Sequence, residues 1–99
     1  MGTKAAEAIE IPFDELPTYL RINHSVYMDV DGETYYLTDA NDLYWRVQRT
    51  DVLNGKGHYT DCSELVPLVS EFITLPFNGE GESITQVFDR AVFYPSVKA

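Results

Sequence analysis

The chain has 99 residues, of which 44% are hydrophobic, and it carries seven Lys and Arg against sixteen Asp and Glu, a formal net charge of −9. This length suits one domain with its own core, and this hydrophobic fraction argues against a disordered chain. The negative charge argues against nucleic acid and anionic membrane surfaces as partners, because both require a basic patch.

The first ten residues show no periodicity, so we predict that residues 1–10 form a flexible leader before a single domain at residues 11–95. Phe13, Leu16, Tyr19 and Leu20 then follow helical spacing, but Pro17 interrupts it. Two structures remain open for residues 11–22, namely a short helical turn or an extended segment that joins the sheet.

Residues 25–38 predict a β-hairpin around Asp31-Gly32, because Asp-Gly is a preferred two-residue hairpin turn. The turn sets the cross-strand pairs, which are Val30 with Glu33, Met28 with Tyr35, Tyr27 with Tyr36, and Val26 with Leu37. One face of the hairpin is nearly all apolar and is predicted to be core; it carries Val26, Met28, Val30, Tyr35 and Leu37. The other face is polar except for Tyr27 and Tyr36, and we expect it to face solvent.

Residues 43–50 fit either a strand or a helix. As a helix they would begin at Asp39 and end before Gly55. The content of Tyr, Trp, Val and Thr favours a strand, which is our prediction. Residues 58–60 then predict a short returning strand.

Two helices are predicted in the second half. The first begins at Ser63 or later, because Pro67 is best tolerated in a first turn. Its apolar residues are Leu65, Leu68, Val69 and Phe72. The second begins at Ser83, which forms a capping box with Gln86. Its apolar stripe is Ile84, Val87, Phe88, Ala91 and Val92. The pair Tyr94-Pro95 ends it, and residues 96–99 form a tail.

These elements predict an α+β fold, in which an antiparallel β-meander of three or four strands is packed on one face by two C-terminal helices. Strands followed by helices are typical of this class. Each predicted helix has one apolar stripe and the sheet has one apolar face, so the two layers can bury each other.

No metal or cofactor is expected. The acidic hairpin turn lacks the Gly at position six and Glu at position twelve of a calcium-binding EF-hand loop. No Cys or His pair has zinc-site spacing, and no glycine-rich phosphate loop is present. His58, Asp61 and Cys62 are residue types of a thiol triad, but neighbours along a chain rarely converge on one atom. The sequence therefore favours a role other than catalysis.

The remaining candidate site is a partner-binding strip on the sheet. It comprises Tyr27, Tyr36, Tyr44 and Trp45, with Asp29 and Asp42 at its rim. Aromatic centres with charged rims are typical of protein-binding patches. Alternatively, the tyrosine pair only stabilises the sheet, or the strip is covered by the N-terminal segment or by a second copy of the chain.

We therefore predict a small acidic protein-interaction module, of the adaptor, inhibitor or immunity type. It would bind a basic protein partner, or a second copy, through its tyrosine-bearing sheet face. The alternative is a small enzyme or ligand-binding protein that uses His58, Asp61 and Cys62. A single cysteine precludes an internal disulfide, and the sequence has no membrane-length apolar run and no signal-peptide pattern, so we expect a cytoplasmic location.

Overall fold

The computed structural model describes residues 3–40, 43–53 and 55–97, which form a sheet with short helices on one face. The strands are β1 (Thr3–Lys4), β2 (Ser25–Val30), β3 (Glu33–Ala40), β4 (Tyr44–Leu53), β5 (Tyr59–Asp61) and β6 (Val92–Val97). The helices are α1 (Leu16–Asn23), α2 (Val69–Phe72) and α3 (Ile84–Val87), with 3-10 turns at Phe13–Glu15 and Phe88–Arg90. None of the helices in this described part is long and apolar enough to cross a membrane.

The sheet has the strand order β1-β6-β2-β3-β4-β5, and every neighbouring pair is antiparallel. Five strands form its body, and the two-residue β1 extends one edge. The predicted α+β class is confirmed. The predicted meander of three or four strands is too small, because the last strand of the chain returns to pair with β2.

The central hairpin has the predicted register, since Val30 pairs with Glu33 and Tyr27 with Tyr36. Asp31 and Gly32 have φ angles of 52° and 86°. Positive φ at both central residues is what the favoured two-residue turn requires, and it matches the twist of the flanking strands. The strand predicted at residues 43–50 is also confirmed, as the first part of β4.

The second predicted helix begins where expected but is shorter than predicted. Its capping box is present at Ser83 and Gln86, but α3 makes a single turn, and after a 3-10 turn the backbone of Ala91 is extended. Val92 and the predicted tail residue Ser96 belong to β6, where Phe93 pairs with Met28 on β2. Pairing with a central strand therefore overrides the helical spacing of the apolar residues.

The first predicted helix is shorter than expected. Before α2, the chain instead runs beside β4, where the Val66 and Trp45 backbones exchange two hydrogen bonds of 2.7 and 3.2 Å. Leu65 and Leu68 are consequently about half exposed rather than packed on a helix face. Val69 and Phe72 do pack into the core, as predicted.

Part of the N-terminal segment pairs with the sheet. Thr3 and Lys4 pair with Val97 and Ser96 of β6, and Ile9 forms a bridge with Phe93. Residues 1–2 and 98–99 lie outside the described part of the chain. Of the two structures left open for residues 11–22, the helical one is present as α1, with Pro17 in its first turn, where a missing N–H costs little.

The core lies between one sheet face and the helices. The five predicted hairpin residues are all buried there, together with Val47, Trp45 and Phe93 from the sheet. The helical side contributes apolar residues from all three helices, namely Leu16, Leu20, Val69, Phe72, Ile84 and Val87. We call the opposite side of the sheet, which carries Tyr27, Tyr36 and Tyr94, the tyrosine face.

Candidate partner-binding face

The two central tyrosines of the tyrosine face are buried, although we expected them to face solvent. Tyr27 is 1% exposed and Tyr36 is 7% exposed. Their rings are 4.7 Å apart between centroids, as expected for a cross-strand pair. Burial of both rings shows that this face of the sheet has a small second core.

Tyr59 packs over the two central tyrosines and shields them from solvent. Its ring packs edge-on against Tyr36 and Tyr27, with centroid distances of 5.5 and 6.4 Å, and its hydroxyl is 3.1 Å from that of Tyr27. The pairing of β4 with β5 shifts register between Arg49 and Leu53. The extra residues lie on β4, whereas Tyr59 is on β5, two residues before Asp61. Because side chains alternate along a strand, Tyr59 points to the same face of the sheet as Asp61 and its partner Gln48, which is the tyrosine face.

The other end of the tyrosine face is held by Lys4. Its ammonium group lies 4.0 Å from the centre of the Tyr94 ring and 2.6 Å from the Asp29 carboxylate, which also accepts a 2.7 Å hydrogen bond from Thr34. Asp29 is therefore engaged within the protein. Burial raises the pKa of the Tyr27 phenol well above its usual value, with the hydrogen bond to Tyr59 as a second cause, so the Tyr27 hydroxyl stays neutral.

A polar cleft lies between the buried pair Tyr27 and Tyr36 and the start of β4. It consists of two adjoining hollows of about 370 and 300 Å³. Both are lined by Arg46, Gln48, His58 and Tyr59. The first also includes Tyr36, Thr38 and Asp39, and the second Thr60 and Asp61. We call the two hollows together the polar cleft.

Hydrogen bonds fix the walls of the polar cleft. The buried Gln48 amide donates to the Asp61 carboxylate at 2.8 Å and to the Tyr59 carbonyl at 3.3 Å. The Arg46 guanidinium lies 3.4 Å from Asp61, and its buried Nε has no hydrogen-bond partner among the described residues. Unpaired buried donors are rare and costly in proteins, so this atom is an unusual feature of the cleft wall.

The predicted site residues are only partly brought together. Tyr36 lies at the polar cleft, and Tyr44, which is 44% exposed, follows the same face of β4 as Arg46. Trp45 points to the opposite face, where it is 8% exposed and packs against Phe72 with 6.0 Å between ring centroids. It therefore belongs to the core and not to the tyrosine face. Asp42 lies outside the described residues.

The residues of the alternative thiol site do not converge. Asp61 lies at the polar cleft with His58, whereas Cys62 packs against the core on the other side of the sheet. The Cys62 thiol donates to the Val47 carbonyl at 3.4 Å, and burial raises its pKa to about 11. A thiol with a raised pKa is a poor nucleophile near neutral pH, so this geometry offers no activated cysteine.

Sequence reasoning did not find Gln48, His58, Tyr59 and Asp61 as neighbours of the tyrosine pair. Arg46 and Gln48 alternate along β4 with the core residues Trp45 and Val47. This alternation was the available sign that both side chains lie on the tyrosine face. The pairing of β5 with β4, which places Tyr59 beside the tyrosine pair, has no local signature in the sequence. Comparisons with protein-family models, curated proteins and solved structures found no significant match to the chain.

Proposed function

We propose that this protein is a small acidic interaction module, of the adaptor, inhibitor or immunity type, that binds a basic partner protein through its tyrosine face. A cytoplasmic location, which the single cysteine favours, is part of the same proposal. Catalysis has no part in it.

The observation that carries the proposal is the surplus of carboxylates over basic groups. Several basic side chains already form ion pairs with carboxylates of the protein itself, namely those of Lys4, Arg46, Arg49 and Arg90. With sixteen acids and seven bases in the chain, most of the negative charge is left without an internal counterpart. Such a field favours association with a positively charged surface and increases the rate of encounter.

The tyrosine face is the better candidate contact because it combines an exposed aromatic ring with a preformed polar cleft. Tyr44 supplies the ring, and Asp61 and the Arg46 guanidinium supply a carboxylate and a donor at the polar cleft. Tyr27 would act indirectly, by holding the face in shape. Aromatic residues and arginine are the side chains that most often dominate binding energy at protein interfaces.

Affinity capture from the host lysate tests this proposal. The bait variants are Tyr44→Ser and Asp61→Asn on the tyrosine face, with Glu71→Gln on α2 as a control that removes the same charge from the helical layer. All three positions are exposed, so the variants should fold. We expect one basic protein that wild type and Glu71→Gln retain and that both tyrosine-face variants lose.

Salt dependence gives the second readout. Capture should weaken steeply as salt is added, because screening reduces attraction between exposed charges. A partner that is retained equally by all four baits would refute the tyrosine face as the contact. Absence of any partner at low and moderate salt would refute the interaction role itself.

A second copy of the chain is a weaker candidate partner. Each copy would bring a formal charge of −9 to the interface, and this repulsion opposes association. Sedimentation analysis at low and high salt shows whether the protein associates with itself. A dimer that strengthens with salt would favour self-association over a basic partner.

A further inference from the structure

A second surface, which shares none of the described lining residues of the polar cleft, has the features of a peptide-binding groove. It lies between the N-terminal segment and α1, has a volume of about 500 Å³, and we call it the N-terminal groove. Its lining residues are Ile9, Glu10, Ile11, Glu15, Thr18, Tyr19, Ile22 and Asn23. Volumes of this order hold a few side chains of a ligand.

The walls of the N-terminal groove are apolar and preformed. The N–H of Ile9 donates to the Phe93 carbonyl at 2.9 Å, which fixes one wall to β6, and Ile11 is part of the core. Tyr19 packs against the core from α1. Ile22 follows Tyr19 on this side of α1 and is 71% exposed, the highest value among the large hydrophobic residues that the structure describes.

The charge around this groove has one sign. Glu10 and Glu15 are the only charged side chains among the described residues that line it. A second hollow, of about 570 Å³, adjoins the other side of the same segment. It is lined mainly by apolar side chains, including Phe88, Val92 and Phe93, and Glu10 is the one charged residue among the described residues that line it.

We propose that the N-terminal groove binds a peptide segment of a partner protein that carries a large apolar side chain flanked by lysine or arginine. The apolar walls and the exposed Ile22 would receive the apolar side chain, and Glu10 and Glu15 would contact the basic residues. A second copy of this chain fits poorly, because it would bring acidic rim against acidic rim. The groove and the tyrosine face are separate surfaces, so this proposal and the proposed function can fail independently.

Amide NMR with three synthetic peptides tests the proposal. One peptide combines Leu with Lys, the second keeps the same Leu pattern but replaces Lys by Glu, and the third keeps Lys but replaces Leu by Ser. We expect saturable shifts at residues 9–11 and 18–23 with the Leu/Lys peptide alone. Equal binding of the Leu/Glu or the Lys/Ser peptide, shifts centred on other residues, or no binding by the Leu/Lys peptide would each overturn it.

Substitutions at exposed positions locate the contact. Ile22→Ser should weaken binding of the Leu/Lys peptide by about tenfold, because an apolar contact of this size is lost. The double variant Glu10→Gln/Glu15→Gln should weaken it and reduce its dependence on salt. Leu68→Ser, at a half-exposed leucine beside α2, serves as the matched control and should leave affinity unchanged. Wild-type affinity in Ile22→Ser, with an otherwise unchanged spectrum, would overturn the proposal.

Discussion

The buried centre of the tyrosine face predicts a large loss of stability when Tyr27 is truncated. Tyr27 is 1% exposed, contacts two other tyrosine rings and shares a hydrogen bond with Tyr59. Replacement of a buried aromatic residue by alanine costs about 3–5 kcal/mol, because apolar burial is lost and a cavity remains. We therefore expect Tyr27→Ala to lower the free energy of unfolding by about 3–5 kcal/mol, a large share of the total for a domain of this size.

Two further variants separate the contributions. Tyr27→Phe keeps the ring and removes the hydroxyl, which is hydrogen-bonded to Tyr59, so it should cost about 1 kcal/mol. Tyr44→Ala removes a tyrosine from the same face at a position that is 44% exposed. It should cost no more than about 1 kcal/mol, as surface substitutions usually do.

Urea unfolding, followed by circular dichroism and by Trp45 fluorescence, measures all three variants. The slope of stability against urea should stay constant, so that midpoint shifts report stability alone. The reasoning would be refuted if Tyr27→Ala and Tyr44→Ala lost similar amounts. The tyrosine face would then be open to solvent, and Tyr27 would again be a direct candidate for partner contact.

Three other outcomes are expected. Gly32→Ala should cost about 1 kcal/mol in urea unfolding, because φ at this turn position is 86° and an added Cβ is strained there whatever the space around it; an unchanged stability would contradict the turn geometry. Burial raises the pKa of Cys62 from its ordinary 9.0 to about 11, so the stability that it contributes is complete below pH 9 and is lost as the pH rises towards 11. Wild type should therefore lose more stability than Cys62→Ala across that window, and parallel losses would count against the burial of the thiol. Hydrogen bonds from Arg90 lower the pKa of Glu82 below its ordinary 4.5, so this pair stabilises the protein above that pH and ceases to do so as acid protonates the carboxylate. Arg90→Ala should consequently make stability less sensitive to acid below pH 4.5, and an identical acid profile in both proteins would refute the pair.

Local sequence signals were sufficient to predict the central hairpin. The Asp31-Gly32 turn fixes the pairing, and strict alternation of apolar and polar residues leaves one register that buries the apolar face. The capping box at Ser83 was equally readable, because it depends on residues three apart in the chain. Features that depend on a few neighbouring residues could therefore be predicted.

Features that depend on pairing between distant parts of the chain could not be predicted from the sequence. The apolar residues from Ile84 to Val92 have helical spacing, but hydrogen bonding to β2 draws the last of them into a strand. Residues before α2 likewise pair with β4 instead of extending the helix. The packing of Tyr59 against Tyr27 and Tyr36 depends on the pairing of β5 with β4, and no pattern near the two central tyrosines indicates it.

The position of β6 has a consequence for how the chain folds. Phe93 pairs with Met28, so an inner strand of the sheet comes from nearly the far end of the sequence. The long segment between the two strands must lose conformational entropy before their pairing can stabilise the fold. Contacts of such high sequence separation slow folding. During synthesis, β2 would emerge long before β6 and would expose one unpaired edge until β6 leaves the ribosome. The short helices add few local contacts to offset this delay, so we expect slow folding in which β6 docks late.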